Sequence, residues 1–375
     1  MNPDAALTAL SAALNQDGPA AEFLPGATNN DYRLNPVDQA ELEGLEDIAA
    51  VVRTSGSTGT PKRTALSVEA LASSSMATAE YLGFEGQWLL ALPLHYVAGL
   101  AVLTRSLYAG TRPWAMDLEA GFDAAGFNAA ASALTDRRRI VSLVPTQLQR
   151  LLTDPTAETL ASLKRFDAIL LGGARASNAV RDQAAAHGLN LHLTYGSSET
   201  SGGCVYDARA LPGVHIKTVE GRIWLGGSTI ASGYLGNPEL TAAHFSTDDA
   251  GVRWYATDDL GSYEDSVLSV RGRADDVINT GGVKVSAAEV QQVLESVPGV
   301  SAAAVVPVPD AQWGQQVGAA YVGTVSPEAL ASAVRQSLGA PAVPRRLRNL
   351  PALPMLPNGK TDRLSLTALL GDAKD

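Results

Sequence analysis

The chain has 375 residues, 46% of them hydrophobic and 18% charged, and its 28 basic and 39 acidic side chains give a formal net charge of −11. This composition is typical of a folded globular chain of two or three domains and excludes a disordered or fibrous protein. The acidic balance argues against a nucleic-acid or anionic-membrane surface, because binding to such a surface requires a concentrated positive field.

Cysteine, histidine and the apolar runs further limit the classes of site. The single cysteine, Cys204, cannot form an internal disulfide, and the five histidines show no recognisable metal-ligand spacing. No apolar run approaches the roughly 18 residues of a membrane span, and no basic residue precedes Arg33. We therefore expect a cytoplasmic protein without a signal peptide or membrane insertion.

The N-terminal part of the chain changes character near Asp47. Prolines among alanine-rich stretches predict one helix over residues 5–14, followed by irregular surface chain with little chemistry. From Asp47 onward the pattern predicts a short apolar strand at 48–52, a glycine-rich loop, and then a helix from about 67 to 82.

Short apolar runs alternate with helical segments in the next part of the chain. The strand candidates are residues 89–92, 140–144, 168–171 and 191–194, and a helix is predicted over 176–187. Because short apolar strands that alternate with helices are buried on both faces, they predict a mostly parallel sheet covered by helices.

The last part of the chain predicts two further kinds of structure. Closely spaced turns after Gly202 indicate an antiparallel β region, and the pattern changes again after Arg273. The elements predicted there are helices at 286–297 and 326–338 and strands at 302–308 and 317–322. The predicted class is α/β, with a large N-terminal domain over 1–273 and a small mobile α+β C-terminal domain over 274–375.

A glycine-rich loop is the strongest local signal in the sequence. Its glycines expose consecutive backbone N–H groups, its hydroxyls add donors and its lysine adds charge, which together suit a polyphosphate. The spacing is not that of a Walker A loop, because Pro61 stands where the second glycine would be. The alternative is a flexible surface turn. The loop consists of Thr54, Ser55, Gly56, Ser57, Thr58, Gly59, Thr60, Pro61 and Lys62.

This loop resembles the phosphate-binding signature of the adenylate-forming enzymes, which include acyl- and aryl-CoA ligases, luciferases and peptide-synthetase adenylation domains. The resemblance covers about residues 47–365, because the other signatures of that superfamily follow in the same order. They are Leu92-Pro93-Leu94-His95, Leu171-Gly172-Gly173-Ala174, Tyr195-Gly196-Ser197-Ser198-Glu199-Thr200, Tyr255-Ala256-Thr257-Asp258-Asp259-Leu260, Gly272-Arg273-Ala274-Asp275-Asp276, Gly281-Gly282 and Pro357-Asn358-Gly359-Lys360.

The resemblance implies a site for ATP and Mg²⁺. Tyr195 would stack on the purine, and Ser198 and Glu199 would serve the α-phosphate and Mg²⁺, a hard cation that prefers oxygen ligands. The superfamily usually has threonine at the position of Ser198, but a hydroxyl is kept. The implied adenine pocket consists of Gly172, Gly173, Ala174, Tyr195 and Gly196.

The resemblance also implies a ribose site and a mobile lysine. Asp259 would accept hydrogen bonds from the ribose hydroxyls with Arg273 beside it, although Asp258 stands where the superfamily has glycine and leaves open which carboxylate points inward. Lys360 would stabilise the charge that develops as a carboxylate attacks the α-phosphorus. Asp275 would be the hinge, and Gly281 with Gly282 would belong to the face presented to coenzyme A.

Several strings resemble one branch in particular, the o-succinylbenzoate:CoA ligases of menaquinone biosynthesis in their compact actinobacterial form. These strings are residues 91–100, 105–107, 142–148 and 201–206. A substrate of that kind carries two carboxylates, and Arg105 is the candidate partner of the aromatic one, because a guanidinium matches a carboxylate bidentately. The other implied substrate residues are His95, which would gate the acyl tunnel, with Thr146, Gln147, Ser201 and Gly202.

The residues leave alternatives open. Arg105 could be a surface arginine paired with a nearby acid, and His95 a satisfied buried histidine. Another aryl- or acyl-CoA ligase would share every ATP-site residue, and a carrier-protein-loading adenylation enzyme or a non-catalytic nucleotide-binding regulator would share most of them. The expected partners are a small carboxylic acid, ATP and coenzyme A, and the sequence is compatible with a homodimer.

Overall fold

The structure is a computed structural model that describes residues 3–28, 30–54, 62–356 and 361–371. In these residues the helices are α1 Asp4–Leu14, α2 Val68–Leu82, α3 Val97–Tyr108, α4 Ala124–Ser132, α5 Pro145–Leu152, α6 Ala157–Lys164, α7 Asn178–Ala186, α8 Pro238–His244, α9 Ala287–Ser296, α10 Pro327–Leu338 and α11 Arg363–Gly371.

The strands in the described ranges are β1 Ala21–Pro25, β2 Tyr32–Pro36, β3 Ile48–Thr54, β4 Lys62–Ser67, β5 Gln87–Leu90, β6 Trp114–Ala115, β7 Arg139–Leu143, β8 Ala168–Leu171, β9 Leu191–Ser197, β10 Gly202–Tyr206, β11 Arg209–Ala210, β12 Val214–Val219, β13 Arg222–Gly227, β14 Gly233–Tyr234, β15 Phe245–Thr247, β16 Arg253–Glu264, β17 Val267–Arg273, β18 Val277–Thr280, β19 Val283–Ser286, β20 Val300–Asp310, β21 Gly314–Gly323 and β22 Arg346–Asn349.

A seven-stranded sheet in the order β11-β10-β9-β8-β7-β5-β6 forms the centre of the large part. Its strands from β6 to β9 pair in parallel, and the direction reverses at β10. Leu170 faces a core shared with α1 to α3, whereas Ile169 and Leu171 face a second core with α4 to α7. Both faces are therefore buried, as the apolar runs predicted.

The described ends of the glycine-rich segment are paired strands. Thr54 at the end of β3 pairs with Lys62 at the start of β4 in antiparallel orientation, and residues 55–61 lie outside the described ranges. The sequence predicted a strand, a loop and then a helix, and β4 is an addition to that order. The helix α2 follows directly, because the Ser67 Oγ accepts a hydrogen bond from the backbone N–H of Ala70 and caps its N-terminus.

The N-terminal segment is more ordered than the sequence predicted. The prediction of irregular chain after α1 was wrong, because β1 and β2 form a hairpin and β1 pairs in parallel with β3. The Glu22 side chain is fully buried between the strands and forms ion pairs with Arg53 and Arg63 at 2.8 and 3.0 Å. The strands β1 and β2 therefore complete the sheet that contains β3 and β4.

The chain after Gly202 forms the predicted antiparallel region, a sheet in the order β12-β13-β16-β15 with β17 beside β16. Residues 277–349 form a further sheet in the order β19-β18-β21-β20, and β22 pairs with β21. Separate hydrophobic cores lie on its two faces, one with α9 and α10 and the other with α11.

This architecture confirms the predicted α/β class with a large N-terminal and a small C-terminal part. The domain boundary at residues 273 and 274 stays a prediction. Across the described ranges, no helix combines the length and the apolar character that crossing a bilayer requires.

Candidate active site

A cavity of about 510 Å³ opens where the β3–β4 hairpin, the end of β9 and the middle of β16 meet. Thr54 and Lys62, the two ends of the hairpin loop, both line it. The Lys62 ammonium lies 5.3 Å from the centre of the Tyr234 ring. The predicted phosphate-binding residues between them, Ser55, Gly56, Ser57, Thr58 and Gly59, lie outside the described residues.

A buried carboxylate stands beside this hairpin. Glu199 lies on the short turn Ser198–Thr200 that joins β9 to β10, and only 6% of it is exposed. Its Oε1 accepts a hydrogen bond of 3.0 Å from the Tyr234 hydroxyl. Burial, together with the Glu199 charge, raises the pKa of Tyr234, so that this hydroxyl keeps its proton.

The surroundings of Glu199 suit a magnesium ion held partly by a nucleotide. Ser198 and Glu199 both line the cavity and supply a hydroxyl and a carboxylate oxygen. In the described ranges no group of three or more His, Cys, Asp or Glu side chains is arranged around a metal position. Phosphate and water oxygens would therefore supply the remaining ligands.

Close backbone packing shapes the predicted adenine pocket. A Cβ atom at Gly172 would collide with the Thr194 hydroxyl, and one at Gly196 would collide with the carbonyl oxygen of Gly202. These collisions explain why glycine is required at both positions. Gly173, Tyr195 and Gly196 line the cavity, while Gly172 and the exposed Ala174 lie beside its wall.

The two adjacent aspartates on β16 differ in their partners. Asp259 Oδ2 accepts a hydrogen bond of 2.6 Å from the Tyr195 hydroxyl, and its nearest cation, Arg273, is 4.0 Å away. Asp258 lies 3.4 Å from both Arg222 and Arg273. Burial raises the pKa of Asp259 despite the Tyr195 hydrogen bond. Asp259 therefore has more distant cation partners than Asp258 and is freer to accept hydrogen bonds from a ligand. Its ribose role stays a prediction.

The wall between α3 and α5 contains residues that the sequence predicts to bind the acyl group. Thr146 and Gln147 line it, but both ends of the Gln147 amide bind backbone groups, with Oε1 accepting from Val144 and Nε2 donating to Ala91 at 3.0 Å each. Tyr96 forms the wall beside His95, whose ring centre lies 4.2 Å from that of Tyr96. Burial lowers the pKa of His95 and keeps the imidazole neutral.

Arg105, the predicted partner of the second carboxylate, is 7% exposed and does not line this cavity; it lines a separate small pocket of about 30 Å³ with Thr78 and Trp88. Its guanidinium stacks 5.2 Å from the centre of the Trp88 ring, and Nη2 donates to the Tyr206 hydroxyl at 3.2 Å. In the described part of the chain it has no carboxylate partner, and its buried Nε has no hydrogen-bond acceptor. The alternative of a surface arginine paired with an acid therefore does not hold.

Two predicted substrate residues lie near Arg105. Gly202 adopts a φ of 106°, and a Cβ atom there would lie 4.0 Å from Arg105 Nη2. The Ser201 hydroxyl donates to the carbonyl oxygen of Thr229 at 2.9 Å. Both residues thus shape the turn that faces Arg105, beyond the cavity wall.

The predicted C-terminal residues fall into three places. Asp275 accepts two hydrogen bonds from Arg273, at 2.8 and 2.9 Å. Gly281 and Gly282 form the turn between β18 and β19, with φ of 59° and 86°, away from the cavity wall. Lys360 lies outside the described residues, but Met355 and Leu356 shortly before it line the cavity.

The sequence analysis missed several residues of this site. Tyr234 orients Glu199, and Arg53 and Arg150 add cations to the cavity wall. Arg150 also donates to the carbonyl oxygen of Phe122. The positions of Arg53, next to the predicted loop, and of Arg150, three residues after the predicted Gln147 on α5, were signals for their place in the site, whereas Tyr234 comes from a distant segment.

Comparison with known proteins gives two family matches. Residues 4–235 match the family described as AMP-binding enzyme, and residues 289–360 match the AMP-binding enzyme C-terminal domain. The first match begins at residue 4, so the resemblance predicted over residues 47–365 also includes the N-terminal segment.

Individual relatives agree with these matches. A probable 2-succinylbenzoate–CoA ligase of Mycobacterium tuberculosis is 42% identical over 370 residues, 96% of this chain and 94% of that protein. The structure of o-succinylbenzoate CoA synthetase from Bacillus subtilis with the acyl-adenylate intermediate OSB-AMP is 26% identical, with a TM-score of 0.71 over 91% of this chain and 72% of the other. ATP-bound MatB from Rhodopseudomonas palustris is also 26% identical, with a TM-score of 0.74 over 88% and 69%.

Proposed function

We propose that this chain, which belongs to the AMP-binding enzyme family, converts 2-succinylbenzoate to its coenzyme A thioester in menaquinone biosynthesis. In the first step a carboxylate oxygen attacks the α-phosphorus of ATP, which forms the acyl-adenylate and releases pyrophosphate. In the second step the thiol of coenzyme A attacks the acyl carbon, which forms the thioester and releases AMP.

The observation that carries this proposal is the meeting of three kinds of group in one cavity. The hairpin ends Thr54 and Lys62 suit a triphosphate, Glu199 suits a magnesium ion, and Asp259 with Tyr195 suits a nucleoside. Magnesium bound there would neutralise part of the triphosphate charge. Tyr234 holds the Glu199 carboxylate in one orientation toward the cavity.

The choice of acid rests on the likeness to 2-succinylbenzoate–CoA ligases, of which one is 42% identical over 96% of this chain. A second carboxylate on the acid requires a cation at the acyl end of the cavity, and Arg150 lines that wall beside Thr146 and Gln147. The predicted partner Arg105 does not line the cavity.

The small C-terminal part is proposed to act in both steps. Lys360 would assist adenylate formation, and the location of Met355 and Leu356 on the cavity wall supports its approach in this arrangement. Rotation about Asp275 would then bring the Gly281–Gly282 turn to the cavity for the second step. Because ATP and coenzyme A are supplied in the cytoplasm, we place the reaction there.

The experiment that tests the function measures AMP and pyrophosphate release by the purified protein with ATP, Mg²⁺ and coenzyme A. The acids compared are 2-succinylbenzoate, benzoate, phenylpropanoates and fatty acids. Turnover confined to 2-succinylbenzoate is expected. Turnover with another acid only would keep the nucleotide site and reject the assigned substrate, and ATP binding without pyrophosphate release would reject an enzymatic role.

A further inference from the structure

Arg53 is a cation on the cavity wall, one residue before Thr54 at the end of β3. Its side chain is 43% exposed, and it stands opposite Arg63 on the paired strand β4. Like charges directly opposite each other on two paired strands are unfavourable unless a counter-ion joins them. This pair of arginines lies next to the Thr54–Lys62 pair, beside the two described ends of the glycine-rich segment.

A buried carboxylate joins the two arginines. Glu22 on β1 is fully buried, and it accepts hydrogen bonds from Nε and Nη2 of Arg53 at 2.8 and 3.3 Å. Arg63 donates to the same carboxylate from Nε and Nη2, both at 3.0 Å. A guanidinium that a carboxylate binds through two nitrogens is fixed in its orientation. Glu22 therefore holds the Arg53 side chain in one place.

The two arginines differ in their third nitrogen. Nη1 of Arg63 donates to Glu41, so that all three of its nitrogens bind carboxylates. Nη1 of Arg53 has no hydrogen-bond partner in the described part of the chain. Arg53 shares one carboxylate, whereas Arg63 also has a second for itself. The positive charge of Arg53 is therefore the less compensated of the two.

A fixed guanidinium with free hydrogens suits a phosphate oxygen. The neighbouring cavity residues Thr54 and Lys62 suit the triphosphate of ATP. When the acid attacks the α-phosphorus, the bond from that phosphorus to the oxygen that bridges to the β-phosphorus breaks, and its electron pair leaves with pyrophosphate. Negative charge thus grows on the leaving group, where a guanidinium stabilises it.

We propose that Arg53 binds the β- and γ-phosphates of ATP and then the departing pyrophosphate, while Glu22 holds its guanidinium beside the cavity. The inference rests on the proposed function, because it requires a triphosphate in this cavity. It assigns a binding role to a side chain that stands outside the glycine-rich segment.

The test compares how Arg53→Met and the wild type bind ATP and AMP. Calorimetric titrations with Mg²⁺, without acid or coenzyme A, measure both dissociation constants in the absence of turnover. AMP shares the nucleoside and the α-phosphate with ATP, so the ratio of the two constants isolates the β- and γ-phosphates. We expect Arg53→Met to weaken ATP binding about fivefold, the size of one partly exposed charge-assisted hydrogen bond, and to leave AMP binding unchanged.

The chain offers a matched control in Arg63→Met. This variant removes the other arginine that Glu22 binds, but Arg63 does not line the cavity. Its ratio of ATP to AMP dissociation constants should equal that of the wild type. A general loosening of β3 and β4 would change the two variants alike.

Kinetics of the two half-reactions give a second readout. In ATP–pyrophosphate exchange, Arg53→Met should raise the KM for pyrophosphate about fivefold. Thioester formation from supplied acyl-adenylate should keep its wild-type kcat and its KM for coenzyme A, because pyrophosphate takes no part in that step. A purely structural role of Arg53 would lower the rates of both half-reactions.

The outcomes separate the two proposals. An unchanged ratio of ATP to AMP dissociation constants in Arg53→Met, or an equal change in Arg63→Met, overturns the phosphate contact and leaves the proposed function intact. A wild type that binds ATP but does not activate 2-succinylbenzoate overturns the proposed function, while the ratio still decides whether Arg53 binds the phosphates.

Discussion

Among the described residues, one tyrosine donates a hydrogen bond to the Glu199 carboxylate. This buried carboxylate accepts it from Tyr234, a residue 35 positions later on the edge strand β14. A carboxylate that binds magnesium must be charged and must point at the ion. Glu199 supplies the charge, and the Tyr234 hydrogen bond sets its orientation.

Substitution of Glu199 separates these requirements. Glu199→Gln keeps an acceptor for Tyr234 but loses the charge, so adenylate formation should fall about a hundredfold and need more Mg²⁺ for half-maximal rate. Tyr234→Phe keeps the charge and should lose about tenfold. ATP–pyrophosphate exchange against Mg²⁺ concentration measures both. An unchanged Mg²⁺ requirement in Glu199→Gln would exclude it as a metal ligand.

The buried carboxylate of Asp259 lowers the stability of the folded protein at neutral pH. Because burial raises its pKa, the folded carboxyl binds a proton more tightly than the unfolded one, and the protein loses stability as pH rises above the usual pKa of 3.8. Asp259→Asn removes this cost. The variant should melt about 2 °C higher at pH 7, with the gain vanishing near pH 3.5, while its KM for ATP rises about tenfold.

Thermal melting across pH 3.5 to 8 and ATP titrations check this prediction. A wild type that melts above Asp259→Asn at neutral pH would contradict it, since the ionised carboxylate would then be stabilising.

The hairpin β3–β4 depends on a buried charge from another element. Burial alone would raise the pKa of Glu22, but hydrogen bonds from Arg53, Arg63 and Asn35 outweigh it and hold the pKa below its usual value. The ion pairs therefore stabilise the fold above the usual pKa of 4.5, and this stabilisation is lost as pH falls through the lower, folded value.

We expect Glu22→Gln to lower the melting temperature by about 5 °C at pH 7, because it leaves two arginines without their shared partner. The loss should shrink in acid as wild-type Glu22 becomes protonated. Glu41→Gln is the matched control, because Glu41 also pairs with Arg63 but is exposed. It should change the melting temperature by about 1 °C or less. Calorimetry at pH 7 and in acid measures both variants.

At the scale of elements, strands were predictable where burial is continuous. Residues 168–171 are apolar throughout, and the strand β8 has the same bounds. The strand β1 escaped prediction because it contains Glu22 at a buried position, which is tolerated only through Arg53 and Arg63, distant in sequence. The strand β4 was not predicted because these residues form a strand through their pairing with β3.

The same limit applies to the site. Residues in contiguous motifs, such as Glu199 and Asp259, were predictable together with a chemical role, and both line the cavity. Tyr234 was not, because its role arises only when the pairing of β14 with β4 brings it to Glu199. The predicted substrate residue Arg105 does not line the cavity, whereas Arg150, on the same helix as the predicted Thr146 and Gln147, does.

At the scale of the whole molecule, the two parts should contribute unequally to the two steps. Lys360→Ala should lower adenylate formation about a thousandfold or more, while thioester formation from supplied acyl-adenylate should change less than about threefold. Single-turnover measurements of each half-reaction check this. Equal losses in both steps would reject the exchange of faces by the C-terminal part.

One feature of the β3–β4 sheet bears on how the protein is made. The strand β4 ends at Ser67, whereas its outer neighbour β14 begins only at Gly233. A ribosome that adds about 5 to 20 residues per second needs roughly 10 to 30 s to pass from one to the other. During that interval β4 is an open edge that can pair with other nascent chains. Prematurely terminated chains that end before residue 233 therefore leave the edge of β4, beside the nucleotide cavity, open to pairing with other chains.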